Sequence, residues 1–353
     1  MKLLVLPGDG IGPEITAATV RVVEAMKHRF NLGLELEHAD SGLTSLEKHG
    51  TTLTEAVQAQ ARAAEGVILG PCDTIIYPDV NDGGVNPSAW FRKNFDLYAN
   101  MRPSRARDGA PAKAPDIDLV IARENTEGFY ADRSMFAGSG EFMPTKDVAL
   151  AVRKITREGS RRITDAACKL AMTRRKKLCI VHKRNVFRMS DGLFHDVAQE
   201  VAAGYDGLEV EEVIIDAMAA LLIRRPESFD VVVTTNMYGD ILSDLAAELS
   251  GGLGLGPSIN AGDDRAIAEA SHGSAPDIAG QNIANPIALM LSTGMLINWL
   301  GERHARPDLV EAAARLDGAV DAQLADGTNV TPDLGGKLGT DGFGEAIAKR
   351  IAG

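Results

Sequence analysis

Cysteine is scarce in this 353-residue chain. Cys72, Cys168 and Cys179 are an odd number without C-x-x-C spacing, which excludes a disulfide framework and a structural zinc site. Positive charge is also short: 37 Lys and Arg face 49 Asp and Glu, a net charge of −12. Phosphate-rich partners need clustered cations that release counterions, so nucleic acid and anionic membrane surfaces are not expected as partners. No apolar run is long enough to span a bilayer. The longest, Pro286 to Leu300, carries Ser292, Thr293 and Asn298 and falls short of the roughly 20 residues a span requires. The opening stretch is cut off by Gly8-Asp9-Gly10, too early for a secretory core. A cytoplasmic location is expected. Internal repeats and low-complexity tracts are lacking too.

What is present is an ordinary globular composition, 45% hydrophobic and 24% charged, long enough for two domains of about 150–200 residues. Short Val/Ile/Leu runs alternate with helical periodicity, the pattern of an α/β protein. Strands are predicted at Leu3–Leu6, Gly66–Leu69, Asp118–Ala122, Leu178–Val181, Val210–Ile215 and Asp230–Thr234, their richness in branched residues suggesting burial on both faces. Pro13 sits where a first helical residue belongs, and Ile15, Thr19, Val22 and Met26 line one face of the helix that follows. Loops are predicted at 79–87, 103–115 and 251–262 from their Gly, Pro, Asn and Asp content. The Arg174–Lys177 basic run reads as a solvated helix C-terminus rather than a nucleic-acid patch.

Several segments carry potential chemistry. Gly8-x-Gly10-x-Gly12-Pro13 departs from the dinucleotide fingerprint and reads as a tight strand-to-helix turn. Asp240 and Asp244 follow a strand and stand four apart, hence on one helical face, where paired carboxylates suit a hard divalent cation; Asp216 adds a third acid at a strand end. An alternative for the pair is a helix cap beside a solvated acid. Arg92, Arg102 and Arg123 offer guanidinium forks suited to a di- or tricarboxylate, provided that they converge. Lys183, at a strand rim, can act as a tuned proton carrier or be a plain surface lysine. The His272–Pro286 segment, rich in small residues with the acid Asp277, would let backbone approach a nucleotide.

Together these segments resemble the β-decarboxylating dehydrogenases, the isocitrate/isopropylmalate dehydrogenase family. The motifs are Leu6-Pro-Gly-Asp-Gly-Ile-Gly-Pro-Glu14, Asp96-Leu-Tyr-Ala-Asn-Met-Arg-Pro103, Arg123-Glu-Asn-Thr-Glu-Gly-Phe-Tyr130, Gly239-Asp-Ile-Leu-Ser-Asp244 and His272-Gly-Ser-Ala-Pro-Asp277, in order and nearly end to end. The resemblance implies a doubly wound, non-Rossmann α/β fold of two interleaved domains. Residues 1–98 with 250–353 would form the cofactor domain, and 99–249 the substrate and dimerisation domain.

It also implies roles. Arg92, Arg102 and Arg123 match substrate-carboxylate clamps, and Asp240 and Asp244, with Asp216 of a second subunit, match Mg²⁺ or Mn²⁺ ligands. Lys183 matches the group that takes the C2 hydroxyl proton, and Tyr130 the acid that protonates C3. His272, Gly273, Ser274, Ala275, Asp277 and Asn285 match the adenosine loop, and an acid at 277 favours NAD over NADP. Homodimers with shared sites are implied. Ser88 and Ala89 share the helical face of Arg92 and would read the C3 substituent; two small residues beside Trp90 point to 3-isopropylmalate. Isocitrate, homoisocitrate, tartrate and D-malate are the alternatives, and a non-catalytic ligand-binding member is the alternative of another class.

Overall fold

The structure, a computed structural model, describes residues 1–130, 135 and 140–353. The first half of the chain forms β1 (Lys2–Leu6), α1 (Gly12–Phe30), β2 (Glu35–His38), α2 (Gly42–His49), α3 (Glu55–Ala63), β3 (Gly66–Leu69), α4 (Pro87–Asn94), β4 (Ala99–Arg105) and β5 (Asp118–Glu124). A small hairpin, β6 (Glu141–Thr145) and β7 (Val148–Ala151), precedes α5 (Arg157–Thr173), β8 (Lys177–His182), α6 (Ser190–Ala202), β9 (Glu209–Ile214) and α7 (Ile215–Arg224). The remainder is β10 (Val231–Thr234), α8 (Asn236–Ser250), β11 (Ile259–Ala261), β12 (Ala266–Glu269), α9 (Ile287–Arg303), α10 (Pro307–Ala325) and α11 (Thr340–Ala352).

Ten strands make one sheet in the order β2-β1-β3-β12-β11-β4-β5-β10-β8-β9. The two outer blocks are parallel, β2-β1-β3-β12 and β5-β10-β8-β9, and they run in opposite directions. The reversal is made by the antiparallel pairings β12·β11, β11·β4 and β4·β5. The chain therefore crosses from the first block to the second through β4 and comes back through β11, so β12 lies beside β3 although nearly 200 residues separate them.

Helices cover both faces, and the strands show it with a period of two. In β1, Leu3 and Val5 join a core with α1, α9, α10 and α11, while Leu4 and Leu6 join another with α3 and α4. In β8, Leu178 and Ile180 pack toward α5 and α6, and Cys179 and Val181 toward α7 and α8. Each such buried aliphatic side chain contributes about 1.5–3 kcal/mol. Double-sided burial thus holds for the central strands. It fails for β9, the edge strand, where Glu209, Glu211 and Glu212 are exposed: an outermost strand has one flank open and uses charge to block further pairing.

Two loop expectations also change. Residues 103–105 complete β4, with Pro103 inside it, and 259–261 form β11. Both are short and carry Pro, Asn or Gly nearby, so neither shows a strand pattern. The basic run lies just past α5 and is exposed from Arg175 to Lys177, as expected; in addition Arg174 and Arg175 are tied to Asp118 and the fully buried Asp230. Among the described residues no helix is long and apolar enough to cross a membrane.

Candidate active site

The reversal of strand direction gathers the polar core of the molecule. Arg102 on β4, Arg123 on β5 and Arg92 on α4 are 6%, 2% and 8% exposed, so the expected convergence of arginines is present. Arg102 Nε donates to Asn100 Oδ1 (2.7 Å), and Asn100 is anchored on Ser258 Oγ and the Ile259 carbonyl. Arg123 Nε and Nη2 both donate to Asn236 Oδ1, the first residue of α8. Gly239 makes this approach feasible: a Cβ there would lie 2.6 Å from Arg123 Cβ and Cγ.

Asp240 and Asp244 project from α8 onto the same cluster. Asp240 Oδ1 receives Arg102 Nη1 (3.1 Å) and Arg123 Nη1 (2.5 Å); Asp244 Oδ1 lies 3.5 Å from Arg102 Nη1. Neither is a helix cap; that place is Thr235. The environment separates the two acids. Burial pushes Asp240 up, but Arg123, Arg102 and Arg92 overcome it and hold the carboxyl below its usual value. For Asp244, burial and repulsion from Asp240 outweigh Arg102, and its pKa rises. The guanidiniums are equally crowded. Burial first, then Arg102 and Arg92, press Arg123 well below its normal pKa, and Arg92 Nε is a buried donor without a partner. A cluster that disfavours its own charge in this way is stabilised by an incoming anion.

Glu269, at the end of β12, completes the cluster and was not expected from the sequence. Its Oε2 accepts from Ser88 Oγ (3.0 Å), Arg92 Nη2 (3.1 Å) and Asn260 Nδ2 (2.9 Å). Burial raises its pKa, and Arg92, those hydrogen bonds and Arg102 more than reverse the rise. The signal was available: an acid closing an apolar run is the pattern that drew attention to Asp216. Trp90 faces elsewhere, edge-on to Phe91 and Phe95 and under Arg62.

Lys183 and Asp216 do not join this cluster. Lys183 Nζ bonds Asp216 Oδ1 (2.5 Å) across the ends of β8 and the start of α7, and that bond lowers the Asp216 pKa. Among the described residues, Asp216, Asp240 and Asp244 share no common ligand sphere. Tyr130 lies at the cluster, its ring 5.9 Å from the Arg123 guanidinium. His182, His195 and Glu212 are the group that does converge as three ligand-type residues. Arg184 already bonds Glu212, and its N–H points at His182 Nδ1, which places the His182 proton on Nε2. The group is charge-compensated as it stands.

The 272–285 segment lies against the first glycine turn. The Ser274 carbonyl accepts Ile11 N–H (2.8 Å), and a Cβ on Gly10 would sit 2.0 Å from that oxygen; the glycines lie in a tight turn from β1 to α1, as read from their spacing, and Gly10 also lets this segment pack closely on it. His272 Nδ1 contacts the Gly273 carbonyl, while Nε2 is buried without a partner and burial lowers its pKa. Ala275 is left-handed (φ 38°), and Asp277 is exposed in the single-turn helix Pro276–Ile278 that follows it. Asn285 is spent locally, accepting Ile287 N–H at the start of α9 and donating to Asp333.

A sequence profile described as isocitrate/isopropylmalate dehydrogenase matches residues 2–347. The chain belongs to the isocitrate/isopropylmalate dehydrogenase family. It is 42% identical to the isocitrate/homoisocitrate dehydrogenase of Thermus thermophilus, over 99% of this chain and 98% of that protein. To the 3-isopropylmalate dehydrogenase of Methanothermobacter thermautotrophicus it is 40% identical, again over 99% and 98%. The crystal structure of isocitrate dehydrogenase from Methylococcus capsulatus superposes with a TM-score of 0.89 at 38% identity, covering 100% of this chain and 99% of that one. The α/β fold of this family is thus the fold of the chain.

Family membership leaves room for residues with purely structural roles in the Arg123–Tyr130 motif. Glu127 is 4% exposed and accepts Thr156 N–H and its hydroxyl (both 2.8 Å). Burial, then the nearby Glu124, raises its pKa to about 7. A folded pKa above the unfolded value means the folded state binds the proton more tightly, so stability falls as pH rises from about 4.5 to 7. Glu127→Gln is expected to raise the melting temperature by a few degrees at pH 8 and leave it nearly unchanged at pH 5; thermal denaturation at the two pH values checks this.

Proposed function

We propose that this family member oxidises and decarboxylates a 3-substituted (2R)-malate, with NAD as hydride acceptor and Mg²⁺ or Mn²⁺ as the metal. The observation that carries the reading is the buried arginine triad, with Arg102 and Arg123 on Asp240 and Arg92 on Glu269. Three crowded guanidiniums, one with an unpartnered donor, form a receptor for a small dicarboxylate, and the pair of acids on α8 supplies hard oxygen ligands at its edge. His272 Nε2, a buried ring nitrogen left as an unpartnered acceptor because Nδ1–H faces the Gly273 carbonyl, supports the nucleotide assignment of 272–277.

The residues divide the work as follows. Arg92, Arg102 and Arg123 hold the two carboxylates and fix the C2–H bond in one orientation. Lys183 takes the C2 hydroxyl proton, and Tyr130 delivers a proton to C3 once CO₂ has left. When bound, a divalent cation on Asp240 and Asp244, with Asp216 of a second copy, would polarise the C2 oxygen, and the nicotinamide would accept the hydride.

A homodimer with shared sites is part of this proposal. Asp216 and Lys183 stand apart from Asp240 within one chain. Val186, Phe187 and Met189 in the turn after Lys183, Ile223 on the helix of Asp216 and Ile241 next to Asp240 expose apolar surface, which a second copy would cover while delivering the missing groups. The division into 1–98 with 250–353 and 99–249 is proposed likewise, supported by the crossings at β4 and β11.

For the substrate, 3-isopropylmalate is favoured. Ser88, the polar group that α4 presents beside Arg92, spends its hydroxyl on Glu269 and offers nothing to a third carboxylate. NADH formation with Mn²⁺ across isopropylmalate, isocitrate, homoisocitrate, tartrate and D-malate tests this; a tenfold or greater preference for isocitrate would overturn the isopropyl choice. Asp277 is expected to make NAD at least tenfold better than NADP in kcat/KM, because a carboxylate accepts ribose hydroxyls and repels a 2′-phosphate. Equal values for the two cofactors would refute that role.

A further inference from the structure

Between the segments that carry Tyr130, Lys183 and Asp240 lies an ion pair to which no role has been given. Asp191, in the first turn of α6, is fully buried. One carboxylate oxygen accepts the backbone N–H of Lys183 (2.6 Å), and the other is paired with Arg153. The Arg153 side chain is 8% exposed and donates through Nη2 to Thr235 Oγ1 (3.0 Å), the cap residue of α8. Its guanidinium carbon lies 5.6 Å from the Phe129 ring, 5.2 Å from Phe187 and 5.1 Å from Tyr238.

These contacts reach one segment each of the expected machinery. Phe129 immediately precedes Tyr130. Phe187 closes the turn that starts at Lys183, its N–H bonded to the Lys183 carbonyl. Thr235 and Tyr238 open the helix that bears Asp240 and Asp244. Arg153 itself lies outside all three, two residues beyond β7. A guanidinium is suited to this work because its planar fork can bond and stack at once.

We propose that the Arg153–Asp191 pair is a positioning centre that fixes Lys183, Tyr130 and the α8 acids relative to one another. The inference rests on the dehydrogenase reading above. Neither residue touches substrate; each acts through the groups it holds. A proton carrier displaced by about 1 Å costs on the order of 10²-fold in rate without weakening carboxylate binding, which resides in the arginine triad.

The test uses the full chain with Mn²⁺, NAD and the best malate of the panel. Arg153→Met leaves Asp191 buried and unpaired and is expected to lower the melting temperature. Adding Asp191→Asn removes the orphaned charge and should restore much of that loss. The expected result for the double variant is recovered stability, a kcat still reduced at least 30-fold and a substrate KM within about threefold of the parent. Recovery of kcat together with melting temperature would assign the pair a structural role only and overturn the proposal. If neither variant folds, Arg153→Lys decides: it keeps the ion pair but not the planar stack, and an unchanged kcat overturns the proposal, whereas a roughly tenfold fall supports it. A parent protein inactive on every malate overturns the dehydrogenase reading and this centre with it. An active parent with fully active variants overturns the centre alone.

Discussion

Asp240→Asn is expected to lower kcat on the order of 10³-fold or more while leaving substrate KM unchanged or lower. The two parameters separate because Asp240 faces two ways. Toward the solvent side it is a metal ligand in the proposed mechanism, and an amide is a far poorer ligand than a carboxylate for a hard cation. Toward the interior it neutralises Arg102 and Arg123; burial, and then repulsion from Arg102 and Arg92, already depress the Arg123 pKa. Loss of the anionic partner makes the pocket more cationic, so a dicarboxylate gains attraction where the metal-dependent chemistry is lost. Breaking a buried pair costs about 3–5 kcal/mol; Asp240 is 37% exposed, and solvent screening reduces the loss to roughly 1–2 kcal/mol. The variant should therefore melt lower than the parent, and a saturating malate should raise its melting temperature by more than it raises the parent's. Steady-state kinetics and thermal shift with and without substrate check both halves. A KM raised in step with a lowered kcat would show Asp240 to be a plain substrate contact.

Much of this site was legible in the sequence because its residues follow strand and helix ends. Arg123 is the penultimate residue of β5, Lys183 follows β8, and Asp240 and Asp244 share one face of α8; each offset is fixed by element geometry alone. Convergence of the three arginines was not derivable in that way. It depends on β4 and β11 reversing the sheet; β4 carries Asn100 and Pro103 within its seven residues, β11 has only three including Asn260, and neither has an apolar run. Glu269 differs: it was legible in the way Asp216 was, as an acid closing an apolar run, but β12 is only four residues long and lies between a Gly-rich loop and the His272 motif. The Arg153–Asp191 pair left no signal at all: its partners are scattered over residues 129 to 238, and only the fold brings them together. The edge strand shows the converse error, in which a Val/Ile-containing run was read as doubly buried because its position in the sheet was unknown. Local geometry travels through sequence; adjacency across crossovers does not.

Lys183→Met and Asp240→Asn, each nearly inactive as a pure protein, are expected to restore activity when refolded together. If each site takes Lys183 and Asp216 from one chain and Asp240 and Asp244 from the other, a mixed dimer holds one site with both substitutions and one with neither. Random pairing of equal amounts makes half the dimers mixed, and each has one intact site of two, so the mixture should reach about a quarter of the parent's activity per chain. The geometry motivates the experiment: Lys183 is held by Asp216 at 2.5 Å and stands outside the Asp240 cluster, and Phe187 and Met189 near Lys183 and Ile241 next to Asp240 are exposed. The pairing rule is specific. Lys183→Met mixed with Asp216→Asn should not complement, because both residues come from the same chain, so the mixed dimer leaves each site damaged. If instead every site is complete within one chain, neither mixture gains activity, and Lys183 would have to reach Asp240 by a rearrangement within the chain. Activity of the two mixtures, measured after co-refolding and again after simple mixing of folded proteins, separates these cases: subunit exchange is required for the first and irrelevant to the second.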